Sequence, residues 1–274
     1  MARPDMAAPS SRLHLTRSRT AWRWAIAGVL LGGLLSLALN LPAAWLSSAV
    51  SRATQGRLLL LEAQGSLWNG SAQLVLSAGP GSSDAKALPS RLRWQLRPEW
   101  RGNLRLQVEA DCCLASPWVW RLSPSGSALS LEISDTPFKL PAQLLTGLGT
   151  PWNTVQPQGQ LTLQSKQFQV AFNGQGLQLS GELSLQLENL SSQLTTLRPM
   201  GSYRVSLQAQ PQPRFQLTTL EGRLQLQGQG SWVANRLQFQ GEAQASTPAD
   251  EPVLAHLLSV LGPRQGHKAL LKLG

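Results

Sequence analysis

Few residues of this 274-residue chain have the types and spacing that bond-making chemistry requires. The three histidines, His14, His256 and His267, have no Cys, Asp or Glu at metal-ligand spacing. No Gly-x-Ser-x-Gly elbow occurs. Gly174-x-Gly176 and Gly228-x-Gly230 precede strand-like alternation, not a helix start that would cradle phosphate. Most acidic residues stand singly at polar positions. Nucleophile, base and orienting group are not brought together by any motif, so the sequence predicts a non-enzymatic protein with no cofactor and no metal.

Cys112 and Cys113 are adjacent, and they are the only cysteines. Outside the cytoplasm they can pair only with each other or between chains. A vicinal disulfide in a loop and a buried thiol pair are both compatible with the sequence. A metal role would lack the further ligands that metals generally need.

The densest chemical feature is positive charge. Lys and Arg number 24 against 14 Asp and Glu, giving +10, yet only 14% of residues are charged, against about 25% in ordinary soluble domains. Arg91, Arg93, Arg97, Arg101 and Arg105 form the tightest group. Three of them alternate with Leu92, Trp94 and Leu96 on one strand, and Arg105 lies on its expected hairpin partner. Like charges facing each other across a hairpin are destabilising. They call for offset by Glu99, Glu109 or Asp111, or for an outside anion such as lipid headgroups or an acidic partner protein. Nucleic acid is disfavoured, because the basic residues are scattered rather than densely clustered.

The elements that carry these residues are strands. Apolar residues recur at a period of two, the mark of a strand with one buried face. Leu104, Leu106 and Val108 alternate with Arg105, Gln107 and Glu109. Trp118-x-Trp120-x-Leu122, Leu129-x-Leu131-x-Ile133 and a long run from Leu177 to Leu187 follow, the last broken by Gly181, which reads as a bulge. Tyr203, Val205 and Leu207, then Phe215 and Leu217, Leu224 and Leu226, Leu237 and Phe239 continue the series. Asn69-Gly70 and Asn173-Gly174 suit hairpin turns. Two stretches depart from this period. Residues 141–149 suit a short helix, and Val253, Leu254, Leu257, Leu258 and Leu261 follow helical spacing behind a capping pattern at Thr247 and Asp250. The fold class expected is mainly β: an N-terminal transmembrane helix, then an antiparallel sheet, sandwich or half-open barrel with one or two short helices.

The N-terminal part reads as a membrane anchor. Arg3, Arg12, Arg17, Arg19 and Arg23 precede an uncharged stretch whose most apolar part, 25–41, is long enough to cross a bilayer. Trp24, Ala25, Leu30, Leu34, Leu39 and Trp45 mark the anchor, with tryptophans toward both interfaces. The arginine excess before the span places the N-terminus in the cytoplasm. A cleaved signal peptide is the competing reading, but the apolar run exceeds the 7–15 residues of such a segment. The expected organisation is a basic cytoplasmic tail at 1–23, an anchor at 24–50 and a periplasmic β domain at 51–274. Weak internal similarity suggests two related halves, about 51–150 and 151–274.

Several motifs then fall into a recognisable order. Gly65-Ser66-Leu67-Trp68-Asn69-Gly70 is followed by Leu92-x-Trp94-x-Leu96 with Pro98. Gly201-Ser202-Tyr203-Arg204 and Leu220-Glu221-Gly222-x-Leu224-x-Leu226-x-Gly228-x-Gly230-Ser231-Trp232 come later, and Phe239-x-Gly241-x-Ala243 leads into the late helix. With the anchor, this order resembles the type II secretion system protein N family over nearly the whole chain. The resemblance implies an inner-membrane accessory of the apparatus that exports folded proteins across the outer membrane, without catalytic residues. It also implies contacts with other apparatus components, either the secretin or inner-membrane platform proteins. The alternative is an inner-membrane-anchored β groove that binds or transfers lipid.

Overall fold

The computed structural model describes residues 19–126, 128–174, 176–209, 213–233 and 236–273. The tail residues Arg3, Arg12, His14 and Arg17 lie outside these. The chain divides into two compact units, Met1–Leu41 and Pro42–Gly274.

The first unit contains helix α1 (Arg19–Leu39). Its 21 residues rise about 31 Å at 1.5 Å each, matching a hydrocarbon core of about 30 Å. Its segment Trp22–Leu39 is long and apolar enough to cross a membrane, with none of it buried. Asn40 closes the helix: its amide meets the carbonyls of Ser36 and Leu37, and its side-chain amide donates to Ser36 at 2.8 Å. Pro42 cannot continue the helical ladder, and it disfavours helical backbone in the residue before it.

The uncharged stretch expected as one anchor over 24–50 is thus two elements. Helix α2 (Ala43–Ala53) belongs to the second unit. Ala43 is buried, and Leu46 and Val50 pack with it against Leu60, Ala72 and Trp94. Ser47 Oγ donates to the Leu60 carbonyl at 2.6 Å, so α2 also satisfies the outer edge of the first strand. Trp45, placed by the sequence at an interface of the span, lies on the exposed side of α2.

Among the described residues of the second unit, sixteen strands join one sheet, paired antiparallel throughout. They begin with β1 (Leu58–Gly65), β2 (Asn69–Ser77), β3 (Ala85–Ala87), β4 (Leu92–Pro98), β5 (Leu104–Ala110), β6 (Trp118–Ser125), β7 (Ala128–Ile133) and β8 (Phe138–Pro141). The long hairpin β9 (Gln158–Asn173) and β10 (Gly176–Ser191) follows the short helix α3 (Trp152–Val155). Then come β11 (Gly201–Gln208), β12 (Arg214–Gly222), β13 (Leu224–Val233) and β14 (Arg236–Ala245), and after helix α4 (Glu251–Leu261) the strands β15 (Arg264–Gln265) and β16 (Lys268–Leu273). Order in space nearly follows order in sequence. The exceptions are β3, which pairs with one half of β2, β8, which pairs with one half of β9, and β15, which lies outside β16 at the sheet edge. Of the forms expected, the chain takes the single antiparallel sheet. The stretches 51–150 and 151–274 share it without a break, through the pairing of β7 with β9.

The alternation read from sequence sets its two faces. Leu96, Leu106, Trp120 and Ile133 face one another on one side, and Arg97, Arg105, Arg121 and Glu132 on the other. Gly181 forms the expected irregularity: the β9–β10 register shifts between Ser180 and Glu182, with Gly181 at φ 84°. A Cβ there would lie 2.2 Å from the Gln167 carbonyl oxygen, so only glycine fits.

Three apolar clusters occupy the apolar face. One lies under α2. A second gathers Leu88, Ala110, Cys113, Phe138 and Leu144, the last from the 3-10 segment Ala142–Leu148 that takes the place of the helix expected at 141–149. The largest seats Leu254, Leu257 and Leu258 of α4 on Leu187, Tyr203, Leu224 and Ala243. Tyr203 donates its hydroxyl to the Leu224 carbonyl at 3.0 Å, and burial pushes its phenol pKa up. At the α4 start, Thr247 Oγ1 donates to Asp250 Oδ2 at 2.9 Å, so the expected capping pair bond each other rather than a free backbone amide.

Candidate interaction surface

The meander gives the sheet two unlike ends. The connections after β1, β4, β6, β9, β11 and β13 fall at one end, called the tip end below, and α4 lies toward the other. The chain also enters the second unit at the tip end. Pro42 bridges to Ser66 in the turn after β1, and the Trp68 carbonyl of that turn accepts the Leu96 amide at 2.7 Å.

The arginines singled out from sequence divide into two groups. Arg91 is tied to Glu62, with Nη1 to Oε2 at 3.0 Å and Nη2 to the carbonyl at 2.7 Å. Arg93 grips both Asp111 oxygens at 2.5 and 3.0 Å and approaches Glu109 at 3.7 Å. Hydrogen bonding to Asp111 raises the Arg93 pKa, and the same contact lowers that of Asp111. Both Arg91 and Arg93 are spent within the fold.

Arg97 and Arg105 are different. They sit directly opposite each other on β4 and β5, and Arg121 of β6 sits directly opposite Arg105. Three guanidinium side chains therefore start about 5 Å apart on one face. Their compensation is thin. Arg97 donates to the neutral Gln95 at 3.0 Å, and Arg105 reaches Glu99 only at 3.9 Å, with its Nε buried and unpartnered. Among the described residues Arg121 has no ion pair, and neither does Arg101 of the β4–β5 loop or Arg214 at the start of β12. Arg121 and Arg214 escape sequence reasoning, because the cross-strand register and the common sheet end that unite them with Arg97 are properties of the folded chain. The Trp120–Arg121–Leu122 alternation does assign Arg121 to the polar face.

The tip end also exposes large apolar side chains. Trp100 is 87% exposed, and Leu129, Phe172 and Leu177 form one in-register row across β7, β9 and β10. Trp232 stacks on Phe215 with ring centroids 5.6 Å apart and stays half exposed.

Groups capable of acid–base or redox work are dispersed. Cys112 and Cys113 are bonded to each other after β5, Cys112 exposed and Cys113 packed in the second cluster. Among the described residues no three His, Cys, Asp or Glu side chains gather where a metal could bind. An open polar recess of about 540 Å³ is lined by Asp84, Lys86, Gln143, Asn153, Gln156 and Gln193, with Asn153 donating to Asp84 at 3.0 Å. It holds amides, the hydroxyls of Ser83 and Thr146 and one ion of each sign, with no histidine to activate either hydroxyl.

His267 instead serves structure. Its Nδ1 and Arg264 Nη2 each meet a Glu251 oxygen at 2.6 Å, clasping the β15–β16 hairpin to the first turn of α4. Hydrogen bonding to His267 first, then to Arg264, holds the Glu251 carboxyl below the usual carboxylate range. A carboxyl lowered on folding adds stability above its unfolded pKa of about 4.3, and that contribution is lost as pH falls through the lowered value. Glu251→Gln should therefore lower the urea midpoint at neutral pH, and the gap to the natural chain should close on acidification below about pH 4. A gap independent of pH would contradict this assignment. Asp111 and Glu242 are lowered too, Glu242 by Lys268 and Gln227, so the variant itself keeps a residual acid slope.

Fold and surface together define a class: one apolar helix followed by an open antiparallel meander that presents charged and apolar contact surfaces. The family described as type II secretion system (T2SS), protein N matches residues 56–270, most of the chain. The chain belongs to this family and so is a component of the type II secretion system. No curated protein and no solved structure matches it. Family membership implies interaction with other components of the apparatus, and the single apolar helix is compatible with a single-pass anchor.

Proposed function

We propose that the protein is a non-enzymatic accessory of the type II secretion apparatus, fixed to the inner membrane by α1 with its N-terminus in the cytoplasm. The sheet unit then lies in the periplasm, where it makes protein contacts that support export of folded proteins across the outer membrane. The observation that carries this reading is the family match over 56–270, which spans the sheet unit and begins just after the apolar helix and α2. The five arginines that precede the apolar run favour this orientation.

The rival, a lipid-carrying groove, would use an apolar trough along the sheet. The packing of α2, of Ala142–Leu148 and of α4 onto the apolar face supports the accessory reading instead. Orientation is tested with alkaline phosphatase, which is active only outside the cytoplasm. Fused after Gly274 it should be active, and fused before Met1 inactive; the reverse pattern would refute the topology.

A further inference from the structure

The tip end brings together three features with no use inside the fold. It carries a facing row of arginines whose acidic neighbours are only Glu99, 3.9 Å from Arg105, and Glu132, opposite Arg121, together with a rim of exposed aromatic and aliphatic side chains and the point at which the chain arrives from α1. We propose that this end of the sheet seats on an anionic phospholipid surface, namely the bilayer that α1 crosses. This rests on the reading of α1 as a membrane span.

The spacing of the features fits an interface. Arg97, Arg105 and Arg121 stand level with Glu132 of β7 and Gln169 of β9. Leu129 and Phe172 lie three residues nearer the tip on those strands. At about 3.3 Å per residue, the apolar rim projects about 10 Å beyond the arginine row. Interfacial segments bury their apolar side about 5–10 Å into the boundary of headgroups and acyl chains. A rim inserted to that depth sets the arginine row at the headgroup phosphates. Trp100 lies in the turn just beyond Arg97 and is 87% exposed, and tryptophan favours this layer.

Charge supports the choice of an anionic surface over a neutral one. Like charges on facing positions of adjacent strands destabilise a sheet unless an outside anion offsets them. Of the ion pairs among the described residues, those of Arg91, Arg93, Arg223, Arg264 and Lys268 lie away from the tips; the tip end has only the 3.9 Å contact of Arg105 with Glu99. Guanidinium forks match phosphate oxygens in geometry. The link from α1 to the sheet unit is the pair Asn40–Leu41, which spans only about 7 Å fully extended. Pro42 and the turn it bridges to are therefore tethered within reach of the bilayer that α1 crosses, whichever way the sheet leans. An acidic protein segment would satisfy the arginines but would leave the apolar rim and the tether without a role.

The experiment uses the full chain in nanodiscs of phosphatidylcholine alone or of phosphatidylcholine with phosphatidylglycerol, and reads backbone hydrogen exchange. Phosphatidylglycerol should slow exchange about tenfold or more in the 99–103 loop and around Phe172 and Leu177, and raised salt should reverse this. The triple variant Arg97→Gln, Arg105→Gln, Arg121→Gln should return these segments to their rate in phosphatidylcholine while α4, toward the other end, exchanges as before. The charge-matched variant Lys139→Gln, Lys166→Gln, Arg204→Gln should keep the protection. Equal exchange of the natural chain in the two lipids would overturn the proposal whether or not either variant folds. Protection that tracks protein concentration would overturn it in favour of a second copy of the chain. Protection by soluble polyglutamate in phosphatidylcholine discs, with none from phosphatidylglycerol, would overturn it in favour of an acidic partner. A chain that fails to insert into either disc overturns the span and this seat together, whereas insertion with equal exchange overturns the seat alone.

Discussion

Trp94→Ala should lower the unfolding free energy of the sheet unit by about 4 kcal/mol, among the larger effects of any single truncation in this chain. The indole is 2% exposed, and it is the only large ring in the cluster that seats α2 on β1, β2 and β4. Its Nε1 donates to the Leu67 carbonyl at 3.1 Å, joining the turn after β1 to β4. Gly70 leaves room for the ring: a Cβ there would come 2.5 Å from Trp94 Cζ2. Truncation removes the packed ring, opens a cavity and leaves a carbonyl without its donor, and these losses act in one direction. Urea unfolding of the full chain in detergent should show the shift. Trp100→Ala supplies the contrast, because that ring is exposed and its loss should stay within about 0.5 kcal/mol. Equal effects at the two sites would mean that the first cluster is wrongly drawn.

Leu258→Asp should be at least as damaging, by about 4 kcal/mol or more near neutral pH. Leu258 is fully buried, in the largest cluster, between α4 and the last strands. Burial opposes ionisation, so the introduced carboxyl would have a raised pKa in the folded state. Its penalty should therefore shrink as pH falls, the reverse of the acid loss expected from Glu251. Leu258→Ala, which leaves a cavity and no charge, should cost about 3 kcal/mol without that pH dependence. Urea midpoints of the two variants across pH separate buried charge from lost packing. A pH-independent penalty in the aspartate variant would show that residue 258 reaches water.

The residues explain which parts of this architecture sequence reading reaches. Strand content and face assignment follow from the period of two, so Leu106 and Arg105 fall on the expected sides. The α4 stripe is legible for the same reason, since Leu254, Leu257 and Leu258 recur at helical spacing and all three are buried. Gly181 is legible as a break because no side chain fits its position. Boundaries set by competition between neighbours are less so. An uncharged run such as 24–50 does not disclose that Pro42 divides it, nor that Leu46 and Val50 find apolar partners on the sheet. Asn69-Gly70 and Asn173-Gly174 announce hairpins, yet Gly70 pairs with Gly65 and Asn173 with Gly176, so neither dipeptide supplies both central residues of its turn. The basic surface is half legible. Arg97 and Arg105 stand out by density, whereas Arg93 looks equivalent until Asp111 closes on it, and Arg121 joins the row only through the register of β5 with β6.

The central claim is that the chain serves the secretion apparatus through protein contacts made by its anchored sheet unit. It is tested most directly by cross-linking intact envelopes in which the apparatus is assembled and isolating the full-length chain. The secretin or an inner-membrane platform protein should be recovered with it, and should be lost when residues 56–270 are replaced by an unrelated periplasmic domain behind the same α1. Recovery of the chain with lipid and no other secretion component, from cells that secrete normally, would contradict it.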